Sequence, residues 1–349
     1  MKKMGIASFT ERGRKRAEEV WKIFLGEYQI LPYEKDRGES LKEWCLRCFE
    51  EGEALVFVGA CGIAVRTIAP FLQDKTKDPA VLVMDEAGRY VISLVSGHLG
   101  GANRLALKIA ESLGAEPVIT TATDVNGKFA VDVFAKDNQL AISSMKAAKE
   151  ISAAVLRGSR VYLFCHGKIK GKVPEELTLW EEEELPAGKE GALIWISPFL
   201  PPESGKGFSG PVLHLIPQVL SVGIGCRKGK SRAEIRETVL EAASQAKVSC
   251  RAFLQAASID LKKEEAGILE FCEEEGLLYK TYSSGELSGI EGEFSSSSFV
   301  KGITGTDNVC ERAALASAGE GGRLLLKKYA KNGVTAAFAV REWSVDFGK

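Results

Sequence analysis

A chain of 349 residues is too long for one ordinary hydrophobic core and predicts two or three domains. Its 45% hydrophobic and 27% charged residues are typical of a globular protein, and no apolar run is long enough for a membrane span or a signal peptide, so we expect a cytoplasmic protein with no membrane partner. The formal net charge of −1 excludes a chain-wide basic surface, so no nucleic-acid partner is expected and any recognition of anions must be local.

Strands and helices alternate through residues 1–125, which predicts an N-terminal α/β sheet domain. The predicted strands run into turns at three places, residues 59–66, 96–103 and 120–124. Because ligands of open α/β sheets collect at the carboxyl ends of strands, we expect these three turns to share one functional edge.

Eight cysteines are scattered singly along the chain, except for Cys45 and Cys48. These two fall on one face of a predicted helix. A zinc site would need a second pair of cysteines or nearby histidines, and the sequence offers neither, so we expect the pair to pack in the core as reduced thiols.

The turn Ser96-Gly97-His98-Leu99-Gly100-Gly101-Ala102-Asn103 places one of only three histidines between a predicted strand and a predicted helix. Glycines let a backbone approach a ligand closely, and a helix N-terminus presents unpaired N–H groups to anions. His98 is therefore a candidate titratable group beside an anion-binding corner. The surrounding glycines favour this interpretation over a tight turn that merely carries a surface histidine.

Residues 126–218 follow a different pattern of predicted elements, in which one helix at 144–156 is followed by short strands, prolines and glycines. His166 and His214 occur here without the spacing of a metal site. We expect a smaller central α+β region that joins two sheet domains.

Residues 219–349 run again from strand to glycine-rich loop to helix, which predicts a C-terminal α/β domain. The loop 223–231 lacks the first glycine of a P-loop, because Ile224 stands there, and the dinucleotide pattern fails where Lys228 stands. Two interpretations remain: an anion corner in which Lys228 and its basic neighbours flank a helix N-terminus, or a tight turn with exposed basic residues.

Three further signals in the C-terminal domain are local. Asn332-Gly333 predicts a β-hairpin, because this pair suits a type I′ turn. Asn308 and Glu311 have the spacing of a capping box. Asp260 either caps the following helix or faces the ligand-bearing edge.

Taken in order, these motifs resemble those of the cobalamin-biosynthesis CbiG family over nearly the whole chain. The matching segments are residues 62–66, 96–103, 120–124, 223–229, 258–260 and 307–314, and the central region matches mainly by its position and by residues 129–136. The resemblance implies N-terminal (1–125), central (126–218) and C-terminal (219–349) regions. It also implies hydrolysis of cobalt-precorrin-5A, in which water opens a δ-lactone and the extruded carbon leaves as acetaldehyde, giving cobalt-precorrin-5B.

The implied substrate is a small-molecule cobalt tetrapyrrole with many acetate and propionate side chains, which cationic or N–H-rich sites would bind. It carries its own cobalt, so no further cofactor and no protein metal site are expected. The residues expected to bind it are Arg66, Gly97, Gly100, Gly101, Asn103, Arg104, Thr123, Gly223, Gly225, Arg227, Lys228, Asp260, Asn308 and Arg312.

We hypothesise that His98 is the general base that activates water against the lactone carbonyl, while N–H groups around Gly100 and Gly101 stabilise the oxyanion. Asp124 or Asp307 would handle the proton of the carbon–carbon cleavage. A non-catalytic tetrapyrrole carrier and a nucleotide-dependent enzyme that uses residues 223–231 are the alternatives. A homodimer and transient contacts with other enzymes of the pathway are left open.

Overall fold

Short apolar runs separated by amphipathic stretches build an α/β fold in the computed structural model, which describes residues 1–34, 38–74, 77–184, 188–202, 208–296 and 302–348. The chain divides into two units, Met1–Val133 and Phe134–Lys349. The predicted fold class is confirmed, because the N-terminal, central and C-terminal regions each contain a sheet with flanking helices.

The first unit is built on one mixed sheet. Its strands are β1 (Lys2–Ser8), β2 (Tyr28–Pro32), β3 (Ala54–Val58), β4 (Ala80–Met84), β5 (Tyr90–Val95) and β6 (Glu116–Val118). They lie in the order β2-β1-β3-β4-β5-β6. Its helices include α1 (Glu11–Ile23), α2 (Leu41–Glu51), α3 (Cys61–Ile68), α4 (Ala102–Leu113) and α5 (Ala122–Val125), and α6 (Val131–Asp137) contains the boundary between the units.

Helices cover both faces of this sheet. One face packs against α1 and α4 through side chains such as Val20 and Ile109, and the other packs against α2 and α3 around Trp44. Cys45 and Cys48 are fully buried in the second layer, and burial raises the pKa of each thiol to about 12. The prediction that this pair packs in the core is confirmed.

The direction of β5 corrects the prediction of one shared edge. β1 to β4 are parallel, whereas β5 is antiparallel to β4 and places Val95 opposite Val81. The physical reason is the short connection 85–89, since parallel neighbours need a long crossover. The His98 turn therefore lies at the amino ends of β1 to β4, together with residues 120–124, because β6 is parallel to β5. Residues 59–66 lie at the opposite edge.

The second unit begins with a five-stranded sheet. Its strands are β7 (Leu140–Ile142), β8 (Val161–Cys165), β10 (Leu177–Leu179), β11 (Ala192–Ile196) and β12 (Val212–Pro217). They lie in the order β10-β8-β11-β12-β7, and only the β12–β7 pair is antiparallel. Helix α7 (Met145–Leu156) contacts β8, β11 and β12.

A second five-stranded sheet forms the C-terminal part of this unit. Its strands are β13 (Leu220–Cys226), β14 (Phe253–Ile259), β15 (Leu278–Tyr282), β16 (Arg323–Lys331) and β17 (Val334–Val340), in the order β15-β14-β13-β17-β16. Its helices include α8 (Arg232–Gln245), α9 (Ala266–Glu274), α10 (Ser284–Ser288) and α11 (Cys310–Ala318). The β16–β17 hairpin is confirmed, since Asn332 and Gly333 have φ values of +49° and +79°.

The end of the chain returns to the central sheet region. Strand β18 (Ser344–Asp346) pairs in parallel with β9 (Lys168–Lys170). The Asn138 amide donates to the Asp346 carbonyl at 3.0 Å and accepts the Asp346 N–H at 2.7 Å. These pairings are among the contacts that join the central and C-terminal regions in one unit. Across the ranges given above, no helix combines the length and apolarity that crossing a bilayer requires.

Candidate active site

The turn between β5 and α4 closes on its own backbone. Three backbone hydrogen bonds form within it: the Gly101 N–H donates to the His98 carbonyl (2.9 Å), the Ala102 N–H to that of Ser96 (3.1 Å) and the Asn103 N–H to that of Gly97 (3.0 Å). Gly101 has a φ of +89°, which glycine adopts without a Cβ clash. A Cβ at Gly100 would collide with Ser96.

This pairing corrects the expected anion corner at the start of α4. The Gly101, Ala102 and Asn103 N–H groups already donate within the chain, so they are not available to an anion. Gly100 differs, because its N–H has no hydrogen-bond partner among the residues that the structure describes. Of the two glycines expected to stabilise an oxyanion, only Gly100 presents an available donor.

His98 lies between two carboxylates. Its Nδ1 is 3.3 Å from Asp132 Oδ1, and its Nε2 contacts Asp124 Oδ2. The Thr123 hydroxyl is 3.1 Å from the same Nε2. The Asp132 side chain is 11% exposed and that of Asp124 is 37% exposed, so a solute would reach the imidazole from the Asp124 side.

The two carboxylates favour the protonated form of His98. The hydrogen bond with Asp132 raises the His98 pKa most strongly, burial opposes it, and Asp124 raises the pKa further. A raised pKa widens the pH range over which the His98 ring carries a proton, and it makes the neutral ring a stronger base. This property bears on the hypothesis that His98 is the general base.

Asn103 fixes the position of Asp124. Its Nδ2 donates to Thr121 Oγ1 at 3.0 Å and to Asp124 Oδ2 at 3.1 Å, and only 6% of the residue is exposed. A Cβ at Gly97 would lie 2.7 Å from Asn103 Oδ1, so glycine is what allows this close approach. Asn103 and Thr123, both predicted to bind substrate, are thus buried partners of the Asp124–His98 pair.

Asp132 is the site residue that sequence reasoning missed. It lies in the first turn of α6, and no local motif ties it to the distant His98 turn. Ser96 is a second feature of the site that the sequence does not reveal. Its φ is +58°, a strained value for a residue other than glycine, and the strain costs about 1–3 kcal/mol. Such strain concentrates at functional sites, but it is visible only in the folded chain.

The cluster is suited to proton transfer and not to metal binding. Asp124 and Asp132 lie at opposite nitrogens of the His98 ring, so the three side chains do not converge on one ion. Over the described ranges, no group of three or more His, Cys, Asp or Glu side chains is placed to hold a metal.

The first unit separates the two arginines that were predicted to bind substrate. Arg66 is exposed on α3, at the sheet edge opposite His98, and its Nη1 lies 3.4 Å from the Gly62 carbonyl. Arg104 is exposed on α4, directly after Asn103. Only Arg104 is therefore brought to the His98 edge.

Gly223 and Gly225 permit close packing in the C-terminal sheet. A Cβ at Gly223 would overlap the Cys310 carbonyl oxygen in α11, and one at Gly225 would lie 2.6 Å from Thr335 Oγ1 in β17. Packing is thus a sufficient reason for both glycines, which were predicted to bind substrate.

The chain's own carboxylates occupy the loop that follows β13. Ser231 and Glu234 form a capping box on α8, and Glu234 also pairs with Lys230 at 2.7 Å. The Gly229 N–H donates to Glu265 Oε1 at 2.7 Å. The glutamates therefore occupy the place where an anion was expected. Arg227 and Lys228 are exposed beside it, which agrees with the second interpretation, a tight turn with exposed basic residues.

Asp307 and Arg312 pair with each other. Arg312 Nε is 3.1 Å from Asp307 Oδ1, and its Nη1 donates to the carbonyls of Leu287 (3.1 Å) and Ile290 (2.8 Å). Phe294 stacks under the guanidinium at 4.3 Å. These contacts give Arg312 a role in holding the loop 287–294 and give Asp307 a cationic partner.

The capping box at Asn308 is half formed. Asn308 Oδ1 accepts the Glu311 N–H at 2.9 Å as predicted, but the buried Glu311 carboxylate accepts from Ser295 and from the Lys328 N–H. Asp260 begins a single 3₁₀ turn without capping it through its side chain, and α9 starts after Glu265. The expectation that Asp260 caps a helix is wrong.

Comparison with known proteins covers both units. Family models for the cobalamin synthesis G N-terminal region, the cobalamin biosynthesis central region and the cobalamin synthesis G C-terminus match residues 43–124, 129–217 and 220–339. A cobalt-precorrin-5A hydrolase of Priestia megaterium is 32% identical, with 96% of this chain and 94% of that protein covered. The chain belongs to the CbiG family.

Two further CbiG relatives have similar coverage. A cobalt-precorrin-5A hydrolase of Salmonella typhimurium is 35% identical over 90% of this chain and 89% of that protein. A probable cobalt-precorrin-5A hydrolase of Methanocaldococcus jannaschii is 27% identical over 96% and 98%. The resemblance stated from the motifs is confirmed. His98 and Asp124 fall within the N-terminal CbiG model, and Asp132 falls within the central one.

Proposed function

We propose that this chain is a cobalt-precorrin-5A hydrolase. The observation that carries the proposal is the Asp132–His98–Asp124 cluster, in which an imidazole, a group that can give or take a proton near neutral pH, contacts two carboxylates at a partly exposed sheet edge. Relatives with this name, 32% and 35% identical over most of their length, supply the substrate. Opening an ester with water needs both a base for the water and an acid for the leaving oxygen.

The proposed substrate is a cobalt tetrapyrrole with a δ-lactone. Its cobalt belongs to the substrate, and the proposed reaction uses no further cofactor. The protein would contribute orientation, proton transfer and stabilisation of the developing oxyanion, for which the Gly100 N–H is the available turn donor.

In the first proposed step, water attacks the lactone carbonyl and its proton goes to the Asp124 carboxylate. The acyl–oxygen bond breaks, and His98 Nε2 donates a proton to the departing alkoxide. Asp132 holds Nδ1 throughout, so the ring keeps its orientation. Transfer of the proton from Asp124 to His98 then restores the starting state. This step moves the role of base for the attacking water from His98 to Asp124, because a carboxylate lies at each nitrogen of the His98 ring and both favour its protonated form.

In the second proposed step, the hydroxyl freed by lactone opening loses its proton, and its carbon leaves as acetaldehyde. The carbon–carbon bond breaks with its electron pair entering the conjugated tetrapyrrole, which takes up one proton. Asp124 is favoured over Asp307 as the acceptor, since Asp124 contacts His98 while Asp307 is paired with Arg312.

The test measures acetaldehyde released from cobalt-precorrin-5A. We expect His98→Ala and Asp124→Asn to lower the rate by about 10²- to 10⁴-fold, the usual loss for a general acid or base. His166→Ala, the same substitution at a histidine of the other unit, is the matched control. An unchanged rate in His98→Ala would refute the cluster. A wild-type protein that binds the substrate and releases no acetaldehyde would instead be a carrier.

A further inference from the structure

The first unit has a cavity at the same sheet edge as His98. It has a volume of about 770 Å³, and we call it the Arg104 cleft after its lining by Arg104, Lys108, Lys2, Glu27 and Tyr28. Lys2 and Tyr28 are paired at the amino ends of β1 and β2, and Arg104 and Lys108 lie on α4.

The sheet register relates this cleft to the His98 turn. The amino end of β1 and the carboxyl end of β5 lie on one edge, because β5 runs antiparallel to β4. Three strand spacings separate β1 from β5, which amounts to about 14 Å. On α4, Arg104 directly follows Asn103, the residue that positions Asp124. A ligand with groups around a wide rim can therefore contact both places along one edge.

The charge of the cleft favours an anion. Three cationic side chains line it, against the single carboxylate of Glu27. Lys108 pairs with Glu27 at 2.5 Å, and Lys2 pairs with Glu53 at 2.9 Å, but all four side chains are between 39% and 55% exposed. Such exposed pairs are weak and yield readily to a competing carboxylate.

Arg104 adds a charge to this group and the best geometry for a carboxylate. The Glu53 hydrogen bond raises the Lys2 pKa, while burial and the nearby Arg104 charge oppose it, so Lys2 and Arg104 lie within electrostatic reach. Arg104 and Lys108 are four residues apart on a helix and share one face. A guanidinium can bind a carboxylate through two parallel hydrogen bonds.

We propose that the Arg104 cleft binds a peripheral carboxylate of the tetrapyrrole while the lactone lies at His98. This inference rests on the proposed function, which supplies a substrate with several carboxylates. It assigns the orientation of the macrocycle: one acidic side chain lies over α4 near Lys2, and the reacting carbon lies toward β5.

The experiment measures the dissociation constant of the full-length protein for cobalt-precorrin-5A by spectroscopic titration. We expect Arg104→Gln to raise it about fivefold, the effect of one partly exposed charged contact, and Arg104→Lys to recover part of the loss. The dependence of binding on salt should weaken in Arg104→Gln. The matched control is Lys15→Gln, an exposed cation on α1 of the same unit.

Each outcome decides the matter. Equal dissociation constants for Arg104→Gln and Lys15→Gln, in variants with unchanged thermal unfolding, would refute the binding role of the Arg104 cleft. A wild-type protein that does not bind the substrate would refute it too. A wild type that binds through Arg104 but releases no acetaldehyde would sustain the cleft and defeat the proposed function. If the wild type releases acetaldehyde and Arg104→Gln does not change the dissociation constant, the proposed function would stand and the binding role of the cleft would be refuted.

Discussion

Replacing Asp132 with Asn tests the core of the site, because it removes one negative charge while keeping the size of the side chain. The largest cause that raises the His98 pKa is the hydrogen bond with Asp132, so in Asp132→Asn we expect this pKa to fall. Both side chains are nearly buried, at 13% and 11% exposure, so water screens the pair little. The ring should also lose its preferred proton arrangement, and acetaldehyde release should fall by about 10²- to 10⁴-fold.

The effect of Asp132→Asn on stability has a definite sign. At 3.3 Å and an effective dielectric constant of about 20, the attraction between Asp132 and a protonated His98 is about 5 kcal/mol, which the burial of both charges largely offsets. We expect a net loss of about 1–3 kcal/mol, since Asn can still accept a hydrogen bond from Nδ1. Because the folded-state pKa is raised, the loss is full below the unfolded value of 6.5 and shrinks as the pH rises through the folded pKa.

Two measurements check this prediction. Urea unfolding at about one pH unit below 6.5 and at about two above it should show a larger difference between Asp132→Asn and wild type at the lower pH. An NMR titration of the three histidines gives the His98 pKa directly. Glu18→Gln, which removes an exposed carboxylate of the same unit, is the control. A His98 pKa in Asp132→Asn equal to that of Glu18→Gln would refute the reasoning.

Three further predictions concern single side chains. Asn103→Ala removes two hydrogen bonds from a buried amide and should cost about 1–3 kcal/mol in urea unfolding, with a fall in acetaldehyde release that Ser112→Ala, on the outer face of α4, does not show. Gly223→Ala forces a Cβ into the Cys310 carbonyl and should destabilise the second unit by more than about 3 kcal/mol, whereas Gly302→Ala, with no atom within 4 Å of its Cβ, should not. His214 donates from Nε2 to the Ser197 carbonyl at 2.8 Å, and burial lowers its pKa, so in the NMR titration it should protonate only below 6.5, with its contribution to stability lost as the pH falls through that pKa.

Sequence periodicity predicted most of the elements because each apolar run has the length and spacing of its strand or helix. It could not predict the direction of β5. The runs at 80–84 and 90–95 are equally consistent with parallel and antiparallel neighbours, and the short connection between them decides the matter only once they are known to pair. The error about residues 59–66 follows from that one strand.

The candidate site was predictable in part for a similar reason. His98 could be predicted because glycines flank it, and Asp124 because it follows the end of a predicted strand. Both signals lie in the local sequence. Asp132 is not, because its role comes from the packing of α6 beside the His98 turn. The glycines at 223 and 225 show the converse: the sequence predicted them in a loop that binds a ligand, whereas they lie in β13, where a helix and a strand pack closely against them.

Because β5 is antiparallel to β4, Arg66 and Arg104 are expected to contribute differently to substrate binding. Both Arg66 and Arg104 are exposed cations that the motifs assign to substrate binding, but they lie at opposite edges of the first sheet. If the tetrapyrrole lies along the His98 edge, Arg104→Gln should raise its dissociation constant about fivefold and Arg66→Gln less than about twofold. Titration of both variants with the same substrate sample makes the comparison. Equal losses would mean that the substrate extends beyond the His98 edge, and a loss confined to Arg66→Gln would move the binding site to the turn after β3, leaving the His98 cluster without a substrate.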